Sequence, residues 1–112
     1  MIDRDEIKAL VKGLVDDVVE RRIELLLRDN ILRPDTAKEL LVAIEKHPGV
    51  LTQAPPLEVF ENLYFDVGDN GVVFVDIEFW YDDRPSDFVL QIVVTAKDDC
   101  SPSIAIESFY FR

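Results

Sequence analysis

The sequence predicts an α+β fold, in which two N-terminal helices pack on one face of a four-stranded antiparallel meander sheet. Two observations carry this. Apolar residues recur at intervals of three and four up to His47, and at intervals of two from Leu57 onward. The runs of period two are joined by connections too short for a crossover helix, which makes successive strands antiparallel neighbours. With 112 residues, 48 % of them hydrophobic, the chain has the size of one domain and enough apolar surface for a core. We read residues 1–112 as a single domain, with a helical part 3–47, a linker 48–56 and a sheet part 57–112.

The first helix spans residues 3–29. Ile7, Leu10, Val11, Leu14, Val15, Val18 and Val19, then Ile23, Leu25, Leu26 and Leu27, form a broad apolar stripe. Asp3 is its expected N-cap, with Glu6 three residues on in the manner of a capping box. Gly13 is unfavourable in a helix interior by about 1 kcal/mol against Ala, so a break is expected there or near Glu20 to Arg22. Asp29-Asn30 ends the helix. Pro34 suits the first turn of a second one, where its missing N–H is no loss. Ala37, Leu40, Leu41 and Ile44 are that helix's buried stripe, and His47-Pro48-Gly49 stops it. The linker contains Pro55-Pro56, which fits neither a helix interior nor a central strand.

Leu57 to Val67 alternates weakly and is expected as the first strand. Asp69-Asn70-Gly71 is a hairpin signal, because Asn-Gly accepts the positive φ of a tight turn. In the strand Val72 to Tyr81, Val73, Val75, Ile77, Phe79 and Tyr81 face one way; Phe74, Asp76, Glu78 and Trp80 face the other. Asp82-Asp83-Arg84-Pro85 is the next turn. Phe88, Leu90, Ile92, Val94 and Ala96 form the core side of the third strand. After the loop Lys97 to Ser103 a last strand follows, with Ile104 and Ile106 on one face and Ala105, Glu107, Phe109 and Phe111 on the other.

With helices on one side, the other side of an antiparallel sheet faces outward. Its expected members include Tyr64, Phe74, Asp76, Glu78, Trp80, Val89, Gln91, Val93, Glu107, Phe109 and Phe111. Rings mixed with carboxylates suit a protein-binding surface, the rings for contact area and the acids for steering. Charge is uneven as well. Residues 57–112 hold twelve acids and three bases, a net of −9, whereas residues 1–56 hold eleven and nine, a net of −2. The acidic half should attract basic partners and repel nucleic acid and anionic membranes.

Signals for chemistry are sparse. His47 sits where an imidazolium favours a helix C-terminus, and it reads as a cap or surface residue. Cys100, between Asp98-Asp99 and Ser101-Pro102, is in an anionic setting that blunts a thiolate. Asp66 to Gly71 lacks the ligand spacing of a calcium loop. Asp82, Asp83 and Asp87, close to Glu78, form a carboxylate cluster that could do acid–base work or hold a divalent ion, but turns favour Asp for local reasons. Acids at 20, 24 and 29 offset Arg21, Arg22, Arg28 and Arg33, so these read as a solvated helix face. Neither a cofactor nor a metal is expected. No basic leader precedes an apolar run, and no apolar run approaches the ~20 residues of a membrane span, so a cytoplasmic protein is expected.

At Phe79-Trp80-Tyr81-Asp82-Asp83-Arg84-Pro85-Ser86-Asp87-Phe88-Val89-Leu90 the chain resembles a family of small uncharacterised bacterial domains. In them a strand ending in an apolar-Trp pair leads through an acidic turn into a Ser-Asp-apolar strand. The family commonly has Ser-Asp-Leu-Thr-Leu where this chain has Ser86-Asp87-Phe88-Val89-Leu90, so the outward position is more apolar here. The resemblance implies the fold and no reaction. In size and acidity the chain is also similar to immunity proteins that neutralise toxins, an analogy of type.

The function expected is a non-enzymatic binding module of immunity or inhibitor type, docking on a basic protein such as a nuclease toxin through Phe74, Asp76, Glu78, Trp80, Asp82, Asp83 and Asp87. One alternative is a small-molecule-binding or enzymatic domain with a pocket between helices and sheet, and a carboxylate or His47 at its base. Another is a structural homodimer module pairing Phe74, Trp80 and Phe109, so monomer and homodimer both stand open.

Overall fold

A computed structural model describes residues 3–51, 59–60, 63–68, 71–96 and 102–112. Pro55-Pro56, Asp69-Asn70 and the Cys100 loop lie outside the described residues.

The helical part forms three helices: α1 (Arg4–Val19), α2 (Ile23–Arg28) and α3 (Pro34–Lys46). Asp3 caps α1 by accepting from the Asp5 amide at 2.9 Å. Helix α1 runs unbroken through Gly13, which is exposed, and stops at Glu20. There Arg21 takes φ +62°, while the amides of Arg21 and Arg22 bond the carbonyls of Val18 and Asp17. This is the Schellman ending of a helix, with Arg at the left-handed position that usually belongs to Gly. Helix α2 ends the same way, with Asn30 at φ +58° and Ile31 N–H on the Leu26 carbonyl. The expected single helix is therefore two, divided at the second of the two anticipated break points. Pro34 opens α3 and His47 closes it, as the sequence indicates.

The sheet is a four-stranded antiparallel meander ordered β1 (Phe65–Val67), β2 (Val73–Tyr81), β3 (Arg84–Ala96), β4 (Pro102–Phe111). The first strand is shorter than its alternation suggested. Val59 and Phe60 are helical instead, and Phe60 is buried in the core. Val73, Val75, Ile77, Phe79 and Tyr81 of β2 and Phe88, Leu90, Ile92 and Val94 of β3 are all buried and face the helices, where they join Ile7, Val11, Val15, Leu40 and Ile44 in one cluster. Ala96, expected with them, is exposed.

Two irregularities shape the sheet. Between Glu78 and Trp80 the register with β3 shifts by two residues, from Glu78↔Val89 to Trp80↔Pro85. Ser86 repairs the lost pairing: its hydroxyl donates to the Phe79 carbonyl at 2.6 Å and accepts from the Phe88 amide at 3.2 Å. In β4 the pairing jumps from Gln91↔Ser108 to Ile92↔Ile106, leaving Glu107 as an extra residue. An odd insertion inverts the phase of everything beyond it. Phe109 and Phe111 consequently sit opposite the core-facing Leu90 and Phe88, on the helix side. Their expected place on the open face is thus corrected, and Ser108 and Tyr110 stand there instead.

Candidate functional site

The uncovered face of the sheet is built from alternate residues. In register across it lie Asp66, Phe74, Val93 and Ala105, then Asp76, Gln91 and Ser108, then Glu78, Val89 and Tyr110, with Trp80 at the end of β2. Phe74 and Trp80 are half-buried, Asp76 is exposed and Tyr110 is 38 % exposed. Among the described residues no helix lies over this face. The ring of Phe74 rests on Gly68, whose missing Cβ would stand 3.4 Å from it.

Its carboxylates have internal partners. The Tyr110 hydroxyl donates to Asp76 Oδ2 at 2.8 Å, and Arg112 Nη1 pairs with Glu78 Oε2 at 3.1 Å. Both contacts reach β2 across β3, one from Tyr110 of β4 and one from Arg112 just past its end, and Val89 beneath them is wholly buried. The hydrogen bond to Asp76, followed by burial, raises the Tyr110 pKa above its ordinary value. Glu78 thus has a cationic partner, whereas the partner of Asp76 is a phenol. Pairing at these exposed sites is worth little on its own, so both residues remain open to exchange for an outside partner.

Asp82, Asp83 and Asp87 occupy the corner where β2 turns into β3. Asp82 (φ +53°) and Asp83 (φ +62°) form the whole two-residue turn, a type I′ connection. Short polar side chains tolerate that conformation, which is a local reason for two acids. Arg84 and Pro85, read as turn residues, already belong to β3. Asp82 also holds the segment that follows α3: its Oδ1 accepts from Val50 N–H at 3.0 Å, and its own N–H donates to the Val50 carbonyl at 2.8 Å. Asp87 faces His47, whose Nε2 lies 2.9 Å from Asp87 Oδ1 and whose Nδ1 lies 2.8 Å from the Pro48 carbonyl. Both ring nitrogens of His47 thus lie against oxygen acceptors. Its side chain is 12 % exposed, wedged against Tyr81 with ring centres 4.0 Å apart and beside Phe111 at 6.1 Å. His47 is the C-cap residue of α3, as read, but it is not a plain surface residue: it joins the end of α3 to the sheet. Tyr81 completes the joint with its hydroxyl on the Ile44 carbonyl at 3.1 Å, and burial raises its pKa.

The structure thus separates the seven contact residues read from the sequence. Phe74, Asp76, Glu78 and Trp80 share the open face. Asp82 and Asp87 serve the corner, and Asp83 has no polar partner among the described residues. Tyr110 and Arg112, which sequence reasoning missed, enter the face because of the Glu107 bulge. Among the described residues no three His, Cys, Asp or Glu side chains converge on a common point for a metal ion. A hollow of about 460 Å³ opens between the start of α1 and the start of β2, lined by Arg4, Ile7, Phe65, Val67 and Val73 among others. Its polar side chain is Arg4, and His47 lies at the far end of β2.

Among the described residues no helix is long and apolar enough to cross a membrane. The profile of a family described as a domain of unknown function (DUF7668) matches residues 15–111, which takes in the Trp80 to Leu90 stretch behind the resemblance to small uncharacterised domains. No curated protein and no solved structure matches the chain.

Proposed function

This chain belongs to the DUF7668 family, a domain family of unknown function, and we propose that it acts as a non-enzymatic binding domain whose open sheet face docks on a basic protein. The observation that carries this reading is the make-up of that face. Phe74, Val93 and Ala105 form an apolar row bordered by Asp66 and Asp76, with Trp80 and Tyr110 nearby. An apolar centre with an anionic border suits a partner that presents Lys or Arg around an apolar spot. The charge of −11 supports attraction of such a partner over distance. An immunity or inhibitor role in the cytoplasm, with a nuclease toxin as the basic partner, is the specific form we propose. Asp83, Asp82 and Asp87 would then contribute to the field more than to contacts, since two of them already hold the corner.

The test is calorimetric titration of the full chain with the product of the neighbouring gene. Binding that weakens with salt and with Phe74→Ala or Trp80→Ala supports the reading. Binding indifferent to all three contradicts it.

A further inference from the structure

The two edges of the sheet differ in their covering. On the outer edge of β4, Ile31 and Arg33 cover the bulge, because Ile106 N–H donates to the Ile31 carbonyl at 2.7 Å and Arg33 Nη2 donates to the Glu107 carbonyl at 3.1 Å. Among the described residues that cover ends beyond Glu107. Arg112 N–H donates inward to the Asp87 carbonyl at 2.9 Å, which fixes the alternation in this stretch. The amides and carbonyls of Ser108 and Tyr110 point toward β3, and those of Phe109 and Phe111 point outward. Next to these outward groups are Phe111, 50 % exposed, and Val42 of α3, 51 % exposed. Val42 also shares a shallow depression with Phe109. An apolar edge with unpaired backbone groups is a template for another strand.

We propose that this edge is a self-association site, at which a second copy of the chain lays its own β4 antiparallel to the first. The strand is complementary to itself. A two-fold axis at Tyr110 places Phe109 opposite the second copy's Phe111, so the outward groups of both residues exchange four backbone hydrogen bonds. The window lies past the Ile31 cover, so neither copy's cover obstructs the other. Charge selects the same place. The chain carries −11 overall, which opposes self-contact across most of its surface. Around this edge, Arg33, Lys38 and Arg112 partly offset Glu39, Asp76, Glu78, Asp87 and Glu107. Three of the chain's twelve bases thus gather where two copies would meet, and repulsion is weaker there than over the rest of the acidic half. The union would join two four-stranded sheets into one and leave both open faces free.

Sedimentation of the full chain over a concentration series tests this, together with amide exchange. The expected result is a reversible dimer, promoted by salt, in which the Phe109 and Phe111 amides become protected as concentration rises. Val42→Lys, at an exposed position of α3 beside the edge and not in β4 itself, should abolish the dimer without altering the far-ultraviolet dichroism. Val67→Lys, at the opposite edge, should leave the dimer intact. A chain that stays monomeric throughout overturns the proposal, even if the edge takes up an unrelated strand peptide. So does a dimer that survives Val42→Lys, or one that protects Phe65 and Val67 instead. Salt strengthens this dimer and weakens docking on a basic partner, so the two readings fail separately.

Discussion

His47 and Asp87, forty residues apart in sequence, meet at 2.9 Å and tie the end of α3 to the start of the third strand. The imidazole is held on its other edge by the Pro48 carbonyl and on its face by Tyr81. The pair therefore joins the end of the helical layer to the sheet, beside the bond from Tyr81 to the Ile44 carbonyl. Each partner should show coupling to the other. Replacing His47 by Ala, or Asp87 by Ala, is expected to cost about 0.5–1.5 kcal/mol, with the double variant costing less than the sum. Urea denaturation of the four species measures this, and strict additivity would remove the joint from the account.

Two glycines should respond oppositely to alanine. Gly13 lies on the exposed side of α1 with nothing within 4 Å of a new Cβ, so Gly13→Ala should stabilise by roughly 0.5–1 kcal/mol. Gly49 has φ +99°, and a Cβ there would come within 2.6 Å of Asp82 Oδ2, the carboxylate that holds Val50. Gly49→Ala should destabilise by about 1 kcal/mol or more, through both the φ and the displaced carboxylate. Thermal unfolding of both variants gives the comparison.

The Glu107 bulge makes a prediction about phase. Phe109 packs against the core and Tyr110 faces outward, so Phe109→Ser should cost about 2–4 kcal/mol and Tyr110→Ser under about 1. The uninterrupted alternation read from the sequence gives the reverse order. Denaturation midpoints of the two variants decide between them.

This bulge also shows where sequence reading stops. Strand β2 was legible throughout, because nine residues of unbroken alternation follow a turn signal and precede an acidic hairpin. Strand β4 was legible as a strand but not in its phase. A bulge is one residue of backbone geometry, and Glu107 carries no local mark of it. The break at Arg21 was half legible: charged residues interrupt the apolar stripe there, but a left-handed Arg gives no glycine signal. The His47–Asp87 joint was hidden for another reason, since it is a tertiary contact between two residues whose neighbours explain each of them alone. Of the open face, the β2 residues came from periodicity, while Tyr110 and Arg112 required the register.

Alkaline titration supplies an independent check. Tyr81 is raised by burial and Tyr110 by its bond to Asp76, so in both the neutral phenol is favoured by folding. A pKa raised on folding contributes stability that is present below the unfolded value near 10 and is lost as pH climbs through the folded value. Ultraviolet titration should therefore show two phenols ionising late, with stability falling in the same range. Tyr110→Phe should remove one of the two, and an unchanged late amplitude in that variant would disprove the Tyr110–Asp76 bond.

The most direct measurement of the central claim is the affinity of the full chain for the neighbouring gene product, taken with Phe74→Ala and Trp80→Ala at low and high salt. Each substitution should weaken binding roughly tenfold or more, about 1.4 kcal/mol, and salt should weaken it further while the fold is unchanged. Tight binding that neither substitution nor salt disturbs would show that the open sheet face is not the surface that meets the partner.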